Sequence, residues 1–344
     1  MKMRSLYRGL KTSYRGSNVS RRAQRFENWT ARASSEGATT DYDHADTVRE
    51  YYDLCSEFMV FGWGESLHFA PLSRHESLEE SIARHQRLII SKLELRPGMV
   101  VIDVGCGVGG PMRRVVREAD VRVVGVNSSE IQLDKAKALS ADAGLDHMVD
   151  YVHCSFMDMS AIEDNSFDRG YAIESTCHAP DKAGAFTEIY RVLKPGALFW
   201  GQEMCMTSKF DPDNDRHRSI KQDLMRGIAL KDIETMDGVD RALESAGFRI
   251  VEGVNLAIAE DGPATPWYRP MEVWGGTRAS ALRRTSAGRK AVIRASRLAE
   301  LLGVFPKGSS KVVELLDRTA GAYVAGGATG IFTPLYCFLA RKPP

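Results

Sequence analysis

The sequence lacks the features of several large classes of protein. Its six cysteines form no C-x-x-C pair and no zinc-ligand spacing, so we expect reduced, mostly buried thiols and no metal site. Net charge is almost absent, since 46 Lys and Arg stand against 45 Asp and Glu, and this balance argues against a nucleic-acid-binding protein. The 344 residues are 43% hydrophobic and 26% charged, which excludes a fibrous or wholly disordered chain.

Acidic residues are missing from two segments. Residues 1–26 carry eight Lys and Arg and no acid, and we interpret residues 1–45 as a basic N-terminal tail. Three interpretations of it stay open: a solvated, disordered tail, an organelle transit peptide, or a basic arm on anionic lipid. Residues 278–297 are also basic and acid-free, which predicts either a solvated helix face or contact with an anionic membrane surface.

Charge is missing altogether between Thr319 and Ala340. Five positions there are glycine or proline, and a lipid-facing helix would not normally hold so many helix breakers. The stretch therefore predicts a helix end, a glycine turn and a strand over 331–340 rather than a membrane span.

Apolar runs alternate with helix-like segments from residue 99 onward. The runs that predict strands are residues 99–104, 121–126, 151–156, 167–173, 197–204, 248–256 and 331–340. Continuous apolar runs of this kind are typical of buried parallel strands. The pattern predicts an α/β fold with a doubly wound, Rossmann-like, mostly parallel sheet. Around it we expect a helical segment over 46–98, an α/β core over 99–275 and a small C-terminal α+β region over 276–344.

A glycine-rich loop follows the first predicted strand. Gly105, Gly107 and Gly110 satisfy G-x-G-x-x-G between a strand and a helix, which predicts a nucleotide-like ligand over this turn. The second strand ends at Asn127, whereas a nicotinamide dinucleotide site has an acidic residue there. Asp103 would repel a pyrophosphate but suits a ligand with sulfonium and ammonium groups. S-adenosylmethionine is thus favoured as the cofactor, and an NAD-dependent oxidoreductase is a weaker alternative.

Longer strings resemble one family. Asp103–Pro111 resembles the first motif of S-adenosylmethionine-dependent methyltransferases. Its residue sequence, Asp-Val-Gly-Cys-Gly-Val-Gly-Gly-Pro, resembles that of sterol 24-C-methyltransferases. Other segments similar to this family are Tyr51–Leu54, Gly62–Phe69, Ser81–His85, Tyr171–Pro180, Tyr190–Gly196, Pro266–Tyr268 and Ile331–Pro343. The resemblance covers residues 48–343. It implies a class I methyltransferase fold that methylates the side-chain alkene of a sterol at C-24, through a carbocation and without a metal.

The resemblance also implies roles for individual residues. The candidate acid–base residues are Glu174, His68, His178 and Glu65. The aromatic faces that would bind the sterol and stabilise a cation are those of Tyr51, Tyr52, Phe58, Phe61, Trp63, Phe69 and Trp267. The residues expected around the methionine, ribose and adenine parts of the cofactor are Asp103, Gly105, Cys106, Gly107, Gly110, Asn127, Gln132, Ser155, Phe156 and Met157.

Two departures from the family pattern leave questions open. Phe58–Phe61 lacks the acid and the phenol that the family has before Gly-Trp-Gly, so the exact sterol and product stay open. Ser155 replaces the Asp expected at the adenine, and Asp158 is a candidate substitute. The alternatives are a methyltransferase of a triterpene or a prenylated quinol and a non-catalytic cofactor-binding scaffold. We expect a sterol substrate, no nucleic acid, peripheral membrane contact, a homo-oligomer, and an intracellular location at the endoplasmic reticulum or another lipid surface.

Overall fold

The computed structural model describes residues 2–33, 44–73, 76–258, 265–272 and 285–344. The chain forms two compact units, each assembled from three separate stretches. We call one the helical unit, made of Met1–Leu67, Lys209–Asp232 and Tyr268–Ile331. The other is the sheet unit, made of His68–Ser208, Ile233–Trp267 and Phe332–Pro344.

The described helices are shared between the units. Those of the helical unit are α1 (Lys2–Ser13), α2 (Val19–Ala33), α3 (His44–Gly62), α8 (Asp215–Gly227), α10 (Arg269–Glu272), α11 (Ser286–Leu301) and α12 (Ser309–Thr329). Those of the sheet unit are α4 (Leu78–Lys92), α5 (Gly110–Ala119), α6 (Glu130–Asp142), α7 (Lys182–Val192) and α9 (Met236–Ser245). Two short 3₁₀ turns, Asp146–Met148 and Thr176–His178, also belong to the sheet unit.

The sheet unit holds one seven-stranded sheet. Its strands are β1 (Val100–Val104), β2 (Arg122–Asn127), β3 (Val149–His153), β4 (Phe167–Ile173), β5 (Leu193–Met206), β6 (Arg249–Asn255) and β7 (Phe332–Arg341). They lie in the order β3-β2-β1-β4-β5-β7-β6. The first five are parallel, and β7 runs antiparallel to β5 and β6. The predicted doubly wound, mostly parallel sheet is confirmed.

The third strand differs from its prediction at both ends. β3 begins at Val149 and ends at His153, whereas the apolar run predicted a strand over 151–156. A turn ends it early, because the Ser155 carbonyl accepts the Asp158 N–H at 3.0 Å. A strand ladder cannot continue through this closed turn.

Apolar side chains fill both faces of the sheet. On one face α7 and α9 pack against a cluster that includes Ile102 and Phe199. On the other face α4 and α5 pack against a cluster that includes Val101 and Tyr171. Since residues 101 and 102 point to opposite faces, both sides of β1 are buried, as continuous apolar strands require.

The basic N-terminal residues form helices, and the expectation of a disordered tail is wrong for α1 and α2. Leu10 and Phe26 are fully buried, and Phe26 stacks on Tyr51 of α3 with ring centroids 5.6 Å apart. Arg22 donates to Glu50 of α3 at 2.9 Å. Apolar residues recur every three or four positions in both helices, so each has an apolar face that the basic composition obscured. Residues 34–43 of the expected tail lie outside the described residues.

The charge-free stretch near the C-terminus follows its prediction. α12 ends at Thr329, Gly330 adopts φ 73°, and β7 begins at Phe332. A glycine in the left-handed region is a common helix end, since it carries no Cβ to clash. No helix in the described part of the chain is long and apolar enough to cross a membrane.

Candidate active site

Polar and glycine residues of four parallel strands meet where those strands end. β1 leads into Gly105, β2 ends at Asn127, β3 leads into Ser155 and β4 leads into Glu174. We call this part of the sheet unit the carboxyl edge. Ligands of open α/β sheets bind at such an edge, so the sequence-predicted cofactor residues and Glu174 share one region.

The glycine loop is held by backbone contacts. The N–H groups of Gly105 and Cys106 donate to the Val126 carbonyl at 2.8 and 3.0 Å. Gly105 has φ 81°, and a Cβ built there would lie 2.3 Å from the Cβ of Ser175. Gly107 has φ 55°, and a Cβ there would meet no described atom within 4 Å. Packing explains the glycine at 105, whereas at 107 the loop faces open space.

Two predicted cofactor residues beside this loop lie in the protein interior. The Cys106 side chain is buried in the apolar cluster with Met112, so its thiol belongs to the core. Asp103 is buried and its Oδ2 has no hydrogen-bond partner among the described residues. Burial raises the pKa of Asp103 to about 7, and the nearby Tyr171 phenol offsets part of this rise. A buried, unsatisfied carboxyl oxygen is suited to a cationic ligand.

The residues expected at the ribose and the adenine lie in two neighbouring turns. Asn127 Nδ2 donates to Gln132 Oε1 at 2.9 Å and lies 3.4 Å from the Gly107 carbonyl. Ser155 Oγ accepts the Met157 N–H at 3.1 Å. Ser155, Phe156 and Met157 are all half-buried, while Asp158 is exposed and its carboxylate accepts the Ser160 N–H. Hydrogen bonds from the Ser160 hydroxyl and from the Ser160 N–H lower the pKa of Asp158, so the group stays an ionised acceptor.

Glu174 is the most constrained acidic group of the carboxyl edge. It is buried and has φ 52°, a backbone conformation that is costly for a residue with a Cβ and concentrated at functional sites. Its Oε1 accepts the Phe69 N–H and the Gln202 Nε2–H, both at 2.6 Å, whereas Oε2 accepts no hydrogen bond from the described residues. Burial raises the pKa of Glu174 to about 8, although these two hydrogen bonds oppose the rise. The carboxyl group is therefore a proton acceptor of near-neutral strength.

Gln202 and His85 fix the orientation of Glu174, and sequence reasoning missed both roles. Gln202 is fully buried on β5 and also donates to the Pro334 carbonyl at 3.0 Å. Its Oε1 lies 2.6 Å from His85 Nε2. Burial lowers the pKa of His85 to about 3, so the ring is neutral and Nε2–H donates to Gln202. The available signal for Gln202 was a polar pair, Gln202 and Glu203, inside a strand whose flanking residues are apolar.

His68 is held as a support for Phe69 rather than as a proton acceptor. Its Nδ1 lies 2.8 Å from the Phe69 carbonyl, and its Nε2 lies 2.8 Å from Gln86 Nε2. Burial lowers the pKa of His68 to about 4, so the neutral ring donates through Nδ1 and accepts through Nε2. Gln86 in turn accepts from Arg114 Nε at 2.7 Å. Both ring nitrogens of His68 are thereby used within the protein.

The turn after Glu174 is tied to β5 by a buried ion pair. Lys182 Nζ lies 3.0 Å from Glu203 Oε2 and donates to the Thr176 carbonyl at 3.0 Å. Burial opposes the charge of Lys182, but Glu203 outweighs it and raises the pKa of the ammonium. The Thr176 hydroxyl also donates to Glu203. His178 is buried in the same 3₁₀ turn, which begins two residues after Glu174. This predicted residue is therefore held by the turn that the ion pair ties to β5.

The predicted sterol-binding aromatics divide between the two units. In the sheet unit Trp267 packs edge-to-face on Phe69 and Phe332, with ring centroids 5.0 and 5.9 Å apart. In the helical unit Tyr51 and Phe58 are buried within the unit, the latter with its ring centroid 6.4 Å from that of Phe305. Three others keep some exposed surface, namely Tyr52, Phe61 and Trp63. The remaining acid–base candidate of this unit, Glu65, is exposed.

Comparisons with known proteins show which family this chain belongs to. A family model described as a methyltransferase domain matches residues 102–201, and one described as sterol methyltransferase C-terminal matches residues 279–344. The chain is 44% identical to the cycloartenol-C-24-methyltransferase of Arabidopsis thaliana, over 88% of each chain. It is 37% identical to the sterol 24-C-methyltransferase ERG6 of Saccharomyces cerevisiae, over 92% of this chain and 84% of that one.

Solved structures share the fold at lower identity. Mycolic acid cyclopropane synthase CmaA1, complexed with SAH and CTAB, matches with a TM-score of 0.67 and 19% identity, over 87% of this chain and 99% of that one. A geranyl diphosphate C-methyltransferase from Streptomyces coelicolor, in complex with S-adenosyl-L-homocysteine, matches with a TM-score of 0.61 and 16% identity, over 88% and 99%.

The sheet order, the glycine loop and the matching methyltransferase domain define an S-adenosylmethionine-dependent methyltransferase of class I. Within that class the chain belongs to the sterol 24-C-methyltransferase family.

The residues of the carboxyl edge fit S-adenosylmethionine. Asp103 offers an unsatisfied buried oxygen to a cationic group, and the open space at Gly107 lets a ligand approach the backbone. Asn127 at the end of β2 and Gln132 at the start of α6 carry amides that can bind hydroxyl groups. These residues and the turn at Ser155 would hold the cofactor.

Glu174→Gln is expected to raise stability at high pH while lowering activity. The pKa of Glu174 is about 8 in the folded chain against 4.5 for an ordinary glutamate. As pH rises from 4.5 to about 8, only the unfolded state gains the charge, so the parent loses stability across this window. Each unit of pKa shift corresponds to about 1.4 kcal/mol. The free energy of unfolding of the variant should therefore exceed that of the parent by at least about 1 kcal/mol at high pH. The two values should be equal below pH 4.5.

The check is urea unfolding of parent and variant at several pH values, with methyl transfer measured alongside. Glu163→Gln removes an acid from an exposed position and serves as the control, which should shift neither quantity. If Glu174→Gln gains no stability as pH rises, Glu174 is ionised in the folded chain and its raised pKa is wrong.

Proposed function

We propose that this protein transfers the methyl group of S-adenosylmethionine to C-24 of a sterol that has an alkene in its side chain. The observation that carries this proposal is Glu174, a buried carboxyl group in a strained backbone conformation beside the glycine loop. Family membership supports the substrate, since relatives are named for C-24 methylation of cycloartenol or of sterols.

The site needs a proton acceptor but no protein nucleophile. When bound, S-adenosylmethionine supplies an electrophilic methyl group, and the alkene of the sterol supplies the electron pair. Methylation leaves a positive charge on the side chain, and loss of a proton restores a neutral product. Once ionised, Glu174 is suited to take up that proton on Oε2, because Gln202 and Phe69 hold Oε1 and fix the carboxyl plane.

Exclusion of water is the second task of these residues. Water would capture a carbocation, so the walls of such a site must be apolar or already hydrogen-bonded. Phe69 and Trp267 supply apolar walls within the sheet unit. Polar side chains near Glu174 are hydrogen-bonded within the protein, since Gln202 contacts His85 and Gln86 contacts His68.

The test is methyl transfer from radiolabelled S-adenosylmethionine to a matched panel of acceptors. Sterols with a side-chain alkene should be labelled at C-24, whereas the same sterols with a saturated side chain should not. A linear triterpene and a prenylated quinol represent the alternative acceptors. Preferential labelling of either one would contradict the proposed substrate, and labelling of the saturated sterol would contradict attack by an alkene.

A further inference from the structure

Exposed apolar side chains are concentrated where α11 meets the turn to α12. Leu298, Leu301, Leu302 and Val304 are 57%, 84%, 69% and 45% exposed, and we call these four residues the apolar tip. Only two other large apolar residues of the described chain are exposed. The four residues of the apolar tip lie within seven positions and are not buried in the helical unit. An exposed apolar patch of this kind marks an interaction surface.

The apolar tip continues a basic stripe along one face of α11. Lys290, Arg294 and Leu298 follow one another at intervals of four, and Leu301 lies three residues further, so all four side chains share a face. Gly288 and Ser296 are buried on the opposite face of the helix. α11 thus packs into the helical unit by one side and presents cations and then leucines on the other.

The charge around the tip is predominantly positive. Residues 286–311 contain six Lys and Arg but a single acid, Glu300. The Glu300 carboxylate accepts the Ser310 N–H, which ties it to the start of α12. Arg289 and Arg297 pair with acids of α12. The exposed cations that flank the tip are Lys290, Arg294, Lys307 and Lys311.

A second basic segment reaches the same turn. Gly308 directly precedes α12 and lies close to Ser20. A Cβ built at Gly308 would be 2.4 Å from the Ser20 nitrogen. The start of α2 therefore contacts the α11–α12 turn, and its exposed Arg21 is near in sequence to this contact. α1, α2 and the turn between them expose further cations, which are Arg4, Arg8, Lys11, Arg15 and Arg25.

We propose that the apolar tip inserts into the surface of an anionic lipid bilayer, with the flanking lysines and arginines on the lipid headgroups. Interfacial helices bind bilayers in this way. Their leucines enter the boundary of the acyl chains, and neighbouring lysines and arginines contact the headgroups. The charge excludes a second copy of the same face as the partner, since two such surfaces would repel each other. A bilayer satisfies both the apolar tip and the cations, and anionic lipid adds an attraction that falls with salt.

The test is sedimentation of the full-length protein with vesicles, in the absence of cofactor and sterol. The parent should bind vesicles of phosphatidylcholine and phosphatidylserine, and bind phosphatidylcholine alone more weakly. Leu301→Ser with Leu302→Ser should weaken binding at least about tenfold, because two exposed leucines lose their burial in lipid. Val251→Ser removes an exposed apolar residue from β6 (52% exposed) and should leave binding unchanged. Lys290→Gln with Arg294→Gln should weaken binding at low salt and have less effect at high salt.

Three results would overturn the proposal. The parent could fail to bind anionic vesicles, or the serine variant could bind them as well as the parent does. The Val251→Ser control could also lose as much vesicle binding as the tip variant. Sedimentation equilibrium without lipid gives a further check, since a dimer that the serine substitutions dissociate would assign the tip to a second copy. Methyl transfer to a detergent-solubilised sterol should be unchanged in the tip variant, so this test stands apart from the proposed reaction.

Discussion

Gly107→Arg is expected to abolish binding of S-adenosylmethionine while leaving the fold intact. A Cβ at this position meets no described atom within 4 Å, so an arginine would enter space that the protein leaves open. That space lies in the loop between β1 and α5, where the cofactor of this family approaches the backbone. The arginine would then occupy the cofactor's place and add a positive charge beside a cationic ligand.

The backbone strain of this variant is controlled by Gly98→Arg. Gly98 has φ 84° and is also open, with no described atom within 4 Å of a Cβ, but it lies before β1, at the other end of that strand. A residue with a Cβ costs about 1–2 kcal/mol in the left-handed region, and both variants bear that cost. Calorimetric titration should show no binding to Gly107→Arg and parent-like binding to Gly98→Arg. Unchanged affinity in a folded Gly107→Arg protein would place the cofactor elsewhere.

The sheet could be predicted from sequence because its strands are buried on both faces. An apolar run of six residues with a single charge, such as 99–104, has no other common structure when glycine and helix signals flank it. The order of the strands and the antiparallel insertion of β7 are not local properties. β7 pairs with β5 more than 120 positions earlier in the chain, as in Phe199 opposite Ala340, and no periodicity records such a pairing.

The helices α1 and α2 show how composition can mislead. Eight cations in 26 residues suggested a solvated segment, yet Leu6, Leu10 and Tyr14 recur at intervals of four and are all buried. This apolar period is present in the sequence, although the high positive charge predicts a solvated segment. Whether a basic helix is docked depends on acids elsewhere, and here Glu50 of α3 accepts from two arginines.

The residues around Glu174 were predictable only in part. Glu174 follows a predicted strand, so its place at the carboxyl edge could be expected. Gln202 and His85, which orient it, are 28 and 89 positions away in the chain, and their contact is a property of the folded sheet. His68 and Phe69 stay predicted substrate-binding or acid–base residues, and the structure adds contacts that sequence could not show: His68 Nε2 lies 2.8 Å from Gln86, and the Phe69 N–H donates to Glu174.

The C-terminal region cannot be tested by deletion. Its strand β7 lies between β5 and β6, so removing residues 279–344 would take away a central strand of the sheet. Loss of activity in such a truncated chain would report unfolding of the sheet unit rather than loss of a substrate contact. Single substitutions at exposed or half-buried aromatic residues are the informative alternative.

A sterol analogue with an ammonium group at the carbon that becomes cationic should bind at least ~10²-fold more tightly than the neutral sterol. Catalysis requires that the charged transition state be bound more tightly than the neutral alkene, and this factor is the low end for transition-state analogues. Cation–π contacts worth roughly 1–2 kcal/mol each in a desolvated site would supply it with two or three rings. The measurement is the inhibition constant of the analogue, compared with binding of the neutral sterol.

Trp63→Leu separates the ring's electrostatic contribution from its apolar surface. Leucine keeps much of the apolar area but has no ring quadrupole, so the variant should weaken binding of the ammonium analogue more than binding of the neutral sterol. Trp63 is half-buried just after α3, and Trp29, which is half-buried on α2, provides the matched control, since Trp29→Leu should change neither constant. Equal losses for both ligands in Trp63→Leu would make this ring an apolar wall only. If the parent protein shows no preference for the ammonium analogue, the site is not complementary to a cation and methylation does not proceed through one.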